Sequence, residues 1–254
     1  MNLIFRLGSA AGNGRARMRT LAIPTMPVLL LLLGMQVMGS SAIAAAPHEH
    51  APPVVRAPGY FDLTYPAPEP GSYALPPLGA AADGEVLESD GSSTRLHDLL
   101  GDRVVVLSFM YTSCSDVNGC PLAAYVLARV NKQLQESEDL IHRVRLVSLS
   151  FDPTHDTPAV MKAYSERLRQ EGVGDWRFLT TRGKEELEPL LRDYDQSVFE
   201  EIDARGNPQG TLAHILRVFL IDRERRIRNI YSISYLHADS ILADIRTLLA
   251  EPAD

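Results

Sequence analysis

The chain has few cysteines and no excess of basic residues. Only 2 of its 254 residues are cysteine, which excludes a disulfide-dense scaffold and a metal cluster held by four cysteines. The formal net charge is −7, whereas a nucleic-acid-binding protein normally carries a basic surface, so we expect no nucleic-acid partner. The sequence contains no C-x-x-C motif and no internal repeat. Three roles remain for the cysteines: one disulfide, one shared metal site, or two unrelated thiols.

The first 46 residues contain no acidic residue and are typical of a secretory leader. Four arginines precede an apolar run over residues 28–38, and small residues follow over 39–46. A basic start, a short apolar core and an A-x-A pattern mark a cleavable signal peptide. Its removal takes the basic residues from 25 to 21 against 32 acidic ones, so the mature chain carries −11. We predict an exported acidic protein in the periplasm or another extracytoplasmic compartment, which permits disulfides.

An uncleaved N-terminal membrane anchor is the alternative for this segment. A bilayer requires roughly 20 residues, so the span would have to cover residues 21–38 and would include Pro24 and Pro27. Cleavage fits the short apolar run better, and anchoring to the inner membrane is the second option.

Residues 47–71 are rich in proline and are predicted to form a linker. Proline interrupts helices and removes sheet donors. His48 and His50 within this stretch are interpreted as part of an ordinary polar start rather than as metal ligands. The folded domain is predicted over residues 72–254, a length that fits one domain.

This domain alternates between apolar runs typical of buried strands and segments with apolar residues at helical spacing. The predicted strands are 103–110, 143–150, 176–179, 212–221 and 227–233, and the predicted helices are 121–134, 158–170, 184–193 and 239–250. Strands that alternate with helices, followed by a hairpin and a last helix, predict an α/β fold with a central mixed sheet flanked by helices on both faces.

Both cysteines lie on one loop, between the first of these strands and a helix that begins at Pro121. Ligand sites of open α/β sheets lie outside the carboxyl ends of the strands, and a helix N-terminus favours the thiolate form of a nearby thiol. Five residues separate Cys114 from Cys120, and Gly119 helps them to fold back. The pair could close a disulfide or, when reduced, bind Cu(I) or zinc. A static disulfide that ties the loop to the helix also remains open.

A metal site on this loop needs a third ligand, and the chain has seven histidines. His97, His142 and His237 are predicted to lie in polar surface contexts. His155 follows the second strand, and His214 lies at the entry to a late strand. The spacing by itself does not choose between His155 and His214.

Three separated motifs resemble the Sco/SenC family of copper chaperones, within the thioredoxin-like superfamily. They are the strand 104–110 followed by Cys114 and Cys120-Pro121, the segment 150–158 with its Asp-Pro and Asp-Thr-Pro, and a histidine just before the strand 215–221. The resemblance covers about residues 72–250. It implies a thioredoxin-like fold that binds one copper ion, as Cu(I) or Cu(II), through Cys114, Cys120 and His214.

The resemblance also implies a function. The family serves maturation of the dinuclear copper site of cytochrome c oxidase, by copper delivery, by thiol reduction of the recipient cysteines, or by both. The chain would then be a metallochaperone rather than an enzyme. Its partners would be the copper-site subunit of cytochrome c oxidase or another copper enzyme, together with thiol reductants. Cu(II) would want another, harder donor, for which Asp116 is the candidate by position.

The loop departs from the family pattern, and two other classes of function stay open. The family usually places three residues between its cysteines and often a proline after the first, whereas this chain has five, from Ser115 to Gly119. A thiol-disulfide oxidoreductase or a thiol peroxidase would use Cys114 with Cys120 as the resolving thiol and would not need His214. A structural domain with a static disulfide is the third hypothesis.

Overall fold

A computed structural model describes residues 57, 59–168 and 174–252. The predicted leader over residues 1–46, and with it the predicted membrane anchor, lies outside the described residues. Among the residues that are described, no helix is long and apolar enough to cross a membrane.

The described part consists of strands and helices in the alternation that the sequence predicts. The strands are β1 (Gly79–Ala80), β2 (Glu85–Glu88), β3 (Ser93–Arg95), β4 (Val104–Met110), β5 (Val144–Ser150), β6 (Trp176–Thr180), β7 (Val198–Ile202), β8 (Pro208–His214), β9 (Val218–Ile221) and β10 (Arg226–Tyr231). The helices are α1 (Cys120–Gln135), α2 (Glu138–Ile141), α3 (Pro158–Leu168), α4 (Lys184–Asp193) and α5 (Ala238–Ala250), with short 3-10 turns at Leu96–Leu99 and Ile233–Tyr235.

Eight of the strands form one mixed sheet in the order β1-β10-β9-β4-β5-β6-β2-β3. Strands β4, β5 and β6 are parallel to one another, and β9 runs antiparallel to β4. Every residue of β4 and β5 is buried, as expected for parallel strands that are covered on both faces. The predicted α/β fold with a central mixed sheet flanked by helices is confirmed.

The strand register brings three loops to one edge of this sheet. Met110 at the end of β4 pairs with Ser150 at the end of β5, because the two strands are parallel. Ser108 near the end of β4 pairs with Val218 at the start of the antiparallel β9. The segments that follow β4 and β5 and the segment that precedes β9 therefore meet at this edge.

The predicted strand over residues 212–221 is wrong in one respect, because two strands occupy this stretch. The first, β8, ends at His214 and pairs with β7 in a separate two-stranded sheet, whereas β9 belongs to the main sheet. Residues of β8 are exposed or half-buried, and those of β9 are all buried. The predominantly apolar sequence of this stretch does not show the break at residues 215–217, where the chain passes from one sheet to the other.

The segment that precedes the sheet packs against the last helix. The Gly71 amide donates to Thr247 Oγ1 at 3.0 Å, and Tyr73 Oη donates to the Asp244 carboxylate at 2.5 Å. Tyr60, within the stretch predicted as a linker, is 7% exposed. Tyr60 therefore belongs to the core of the domain, whereas most of residues 61–71 are exposed.

His237 is buried, so the prediction that it lies in a polar surface context is wrong. The Tyr60 ring stacks on the His237 ring with 4.9 Å between centroids and covers it. His237 Nδ1 accepts from the Asp239 amide at the start of α5, so the proton lies on Nε2, which donates to Tyr60 Oη at 2.5 Å. Burial lowers the pKa of His237 and keeps the imidazole neutral.

Candidate metal centre

The loop between the cysteines is compact despite its five intervening residues. The Gly119 amide donates to the Asp116 carbonyl at 2.9 Å, and the Asn118 amide donates to Asp116 Oδ1 at 3.0 Å. These two bonds close a turn over residues 116–119, directly before Cys120 begins helix α1. The turn takes up the additional length, so Cys114 and Cys120 lie next to each other.

His214 is the last residue of strand β8, and its side chain faces the cysteine loop across the sheet edge. Its ring lies 4.8 Å from the ring of Phe151 and 5.8 Å from that of Tyr111, measured between centroids. Tyr111 Oη also accepts from the Leu212 amide at 3.4 Å, which ties the end of β4 to strand β8. The two aromatic rings hold the imidazole so that Nε2 faces the sulfurs.

Three ligand atoms converge at this edge. His214 Nε2 lies 3.8 Å from Cys114 Sγ and 3.5 Å from Cys120 Sγ, and all three ligand atoms lie within 4.8 Å of one another. Metal–thiolate and metal–imidazole bonds of about 2.3 and 2.0 Å place two ligand atoms of one ion about 3.5–4 Å apart. The three side chains therefore fit a single soft metal ion without movement of the main chain.

The two thiols differ in exposure and in protonation. Both are free: Cys114 is half-buried, and Cys120 is 2% exposed. Hydrogen bonding from Cys120, together with His214 and nearby backbone amides, holds the pKa of Cys114 well below its ordinary value. The same hydrogen bond, together with burial, raises the pKa of Cys120. The pair thus holds one proton between two sulfurs, with Cys114 as the accessible thiolate.

A buried carboxylate supports the segment that precedes Cys114. Asp156 is 1% exposed and accepts from the Thr112 amide at 3.0 Å, from Thr112 Oγ1 at 2.5 Å and from Ser150 Oγ at 2.5 Å. These bonds join the loop after β5 to the start of the cysteine loop. They also fix the Thr112 hydroxyl, which lies two residues before Cys114.

Among the described residues, the structure distinguishes His214 from His155, His97 and Asp116. His155 is exposed and pairs with Asp152 at 2.8 Å, and His97 bonds to the Ala81 carbonyl. Asp116, predicted as a further donor for Cu(II), is not in the group of converging ligand atoms found among the described residues. It accepts from the loop amide described above instead.

Sequence reasoning did not identify the residues that support the ligands. Tyr111 and Phe151 were not assigned a role, although each directly follows a buried strand that ends at the site edge. Asp156 lies in the Asp-Thr-Pro part of a motif that served only to mark a resemblance. An aromatic residue at the carboxyl end of a central strand is the signal that was available.

Comparison with known proteins gives consistent matches. A family model described as SCO1/SenC matches residues 81–250. The SCO1 protein homolog of Bacillus subtilis (strain 168) is 24% identical over 160 residues, which cover 62% of this chain and 77% of that protein.

Solved structures give the same result for the fold. A SCO1/SenC family lipoprotein from Bacillus anthracis str. Ames is 26% identical with a TM-score of 0.57, and the match covers 68% of this chain and 97% of that one. Copper-bound ScoI from Arabidopsis thaliana is 20% identical with a TM-score of 0.54, over 67% of this chain and 98% of that one. These likenesses confirm the predicted thioredoxin-like fold.

Proposed function

The chain belongs to the SCO1/SenC family, and from that premise we propose that it is a copper-binding metallochaperone. Cys114, Cys120 and His214 would together hold one copper ion. The observation that carries the proposal is the convergence of two sulfurs and one imidazole nitrogen within 4.8 Å. Thiolate ligands favour soft metal ions such as Cu(I). The relative from Arabidopsis thaliana, which has been solved with copper bound, supports the choice of metal.

The recipient that we propose is the copper-site subunit of cytochrome c oxidase or of a related copper enzyme, in an extracytoplasmic compartment. Cys114 and His214 are half-buried, whereas Cys120 is buried. Thiols of a partner can therefore approach the ion from the side of Cys114 and exchange with one ligand at a time. Without its leader the chain carries −11, which favours docking of a basic partner surface.

Copper stoichiometry and ligation test this proposal. Reduced protein loaded with Cu(I) under anaerobic conditions is expected to bind one equivalent. X-ray absorption should report two sulfur neighbours and one nitrogen neighbour, with bonds of about 2.0–2.3 Å. Binding below half an equivalent after full reduction, or a spectrum with only nitrogen and oxygen neighbours, would contradict the assignment of the site.

The same pair of thiols is suited to thiol-disulfide exchange, because only one of them is both accessible and ionised. Cys114 thiolate would attack a disulfide of the partner, form a mixed disulfide and release one partner thiolate. Cys120 would then lose its proton and displace the second partner sulfur. This leaves a disulfide between Cys114 and Cys120 and transfers two electrons to the partner, after which an external thiol reductant restores the pair.

This second activity predicts different behaviour of the two cysteine variants. With an aromatic disulfide as the probe, Cys120→Ser is expected to accumulate a stable mixed disulfide on Cys114, since no resolving thiol is present. Cys114→Ser should react at least about tenfold more slowly, because its remaining thiol is buried and protonated. Mass spectrometry of quenched samples measures both. Equal rates in the two variants would remove the assignment of Cys114 as the nucleophile.

A further inference from the structure

A short segment upstream of the part that matches the family model reaches the cysteine loop. We call residues 59–61 the strap. A Cβ atom placed on Gly59 would lie 2.5 Å from Asn118 Oδ1 and 2.9 Å from the Val117 carbonyl oxygen. Both distances are shorter than real Cβ contacts, so the bare backbone of Gly59 packs directly on the turn between the cysteines. The matching family residues begin only at residue 81.

Tyr60 anchors the strap beside this contact. Its ring packs edge-on against Tyr125 of helix α1 at 5.0 Å, and the Arg129 guanidinium lies 5.4 Å from its centroid. The hydroxyl is bonded to His237 at the start of α5. Tyr60 thus sits between α1, the helix that begins at Cys120, and the last helix of the domain, whereas Phe61 is 77% exposed.

The turn contacted by the strap is otherwise held by few interactions. Val117 is 44% exposed and Asn118 is exposed, and within the described part of the chain the two hydrogen bonds of the turn both run to Asp116. A loop with five residues between its cysteines has more conformational freedom than a shorter one. Support of the turn by the strap would reduce that freedom and keep the two sulfurs adjacent.

We propose that Gly59 and Tyr60 are positioning residues of the cysteine loop: Tyr60 fixes the strap, and the Gly59 backbone holds the turn that keeps Cys120 buried beside Cys114. Release of the strap would let the turn open and expose Cys120. Insofar as the loop holds copper, the proposal rests on the function proposed above, and strap release would then speed copper transfer. The opening of the loop itself requires no metal.

The first test is therefore made on the reduced, metal-free full-length chain. Iodoacetamide labelling, followed by peptide mass spectrometry, gives initial rates for Cys114 and Cys120 separately. Tyr60→Ala is expected to raise the Cys120 rate about tenfold, the factor that one net hydrogen bond supplies. Tyr60→Phe keeps the ring, so its Cys120 rate should lie between those of wild type and Tyr60→Ala. Phe61→Ala is the matched control in the same strap. A Cys120 rate within twofold of wild type in Tyr60→Ala would overturn the proposal.

A second variant keeps the test decisive should Tyr60→Ala fail to fold. Gly59→Ala retains the Tyr60 anchor but adds a Cβ atom against the turn, so it should also raise the Cys120 rate severalfold. Asn118→Gly removes the nearer of the two clashing atoms, and we expect the double variant to recover part of the wild-type rate. Additive effects of the two substitutions would show that the contact does not couple strap to loop, and would overturn the proposal.

The rate of Cu(I) transfer distinguishes the proposed role of the strap from the proposed metallochaperone function. Cu(I) release from loaded Tyr60→Ala to a colorimetric Cu(I) chelator is expected to be about tenfold faster than from wild type and from Phe61→Ala. Wild-type protein that binds no copper would remove the metallochaperone function and leave the labelling result to decide the role of the strap. Copper bound by wild type with equal release rates from all variants would overturn the strap's control of transfer.

Discussion

Cys114→Ser, Cys120→Ser and His214→Ala are each expected to weaken Cu(I) binding by more than about a hundredfold. Changes to groups that only orient a metal ligand typically cost tenfold to a hundredfold in affinity, and each of these substitutions removes a ligand atom itself. The two serine variants should have the larger effect, because a hydroxyl is a hard donor and Cu(I) prefers thiolates. Competition with a chromophoric Cu(I) chelator measures all three affinities.

The chain offers a matched control for the histidine. His155 also follows a strand at the site edge, and the sequence spacing did not distinguish it from His214. In the structure it is exposed and bonds only to Asp152 among the side chains described, so His155→Ala should bind Cu(I) as wild type does. Equal affinities of His214→Ala and His155→Ala would remove His214 from the ligand set.

Asp156→Ala is expected to lower the free energy of unfolding by about 3 kcal/mol, because it leaves three donors without their acceptor in a buried site. The donors are the Thr112 amide, the Thr112 hydroxyl and the Ser150 hydroxyl. Thr112 lies two residues before Cys114, so the same change should also weaken Cu(I) binding about tenfold, as for a group that orients a ligand. Denaturant unfolding and chelator competition give the two values.

A second aspartate in the same motif is the control for this result. Asp152 bonds through its side chain to exposed His155, and an ion pair with an exposed partner contributes little to stability. Asp152→Ala should therefore change the unfolding free energy and the Cu(I) affinity far less than Asp156→Ala. Asp156→Asn retains acceptor oxygen but not the charge, and its stability should lie between wild type and Asp156→Ala. Comparable losses at 152 and 156 would show that the buried hydrogen bonds are not the cause.

The central strands and most helices follow directly from local sequence patterns. The β-branched run at 104–110 and the run at 144–150 are buried along their whole length, and such runs occur only where both faces of a strand are covered. Helix α1 begins within one residue of the predicted Pro121, since proline is favoured in the first turn. These strand and helix patterns depend only on residues that are neighbours in the sequence, so they could be predicted without the tertiary structure.

The sequence predictions were wrong where distant parts of the chain decide which sheet a strand joins or whether a side chain is buried. The stretch 212–221 is mostly apolar in sequence, but its first residues belong to the half-exposed β8 and its last to the buried β9, in two different sheets. The β7–β8 hairpin was not predicted, and its Phe199 and Ile202 are exposed, so it lacks the alternation of a half-buried strand. His237 lies under Tyr60, which is 177 residues away in the chain, so its burial does not follow from its sequence neighbours.

The sequence by itself determined the fold class, the loop that carries both cysteines, and the resemblance to the Sco/SenC family. These depend on periodicity, composition and short motifs, all of which are local. The resemblance implied His214 as the third ligand, although the spacing by itself did not choose between it and His155. Only the tertiary structure showed that the His214 ring faces the sulfurs, that Cys114 is the more exposed thiol, and that the strap contacts the turn. Those facts depend on strand order and register, because the antiparallel placement of β9 beside β4 is what brings residue 214 to the edge where residues 114 and 120 lie.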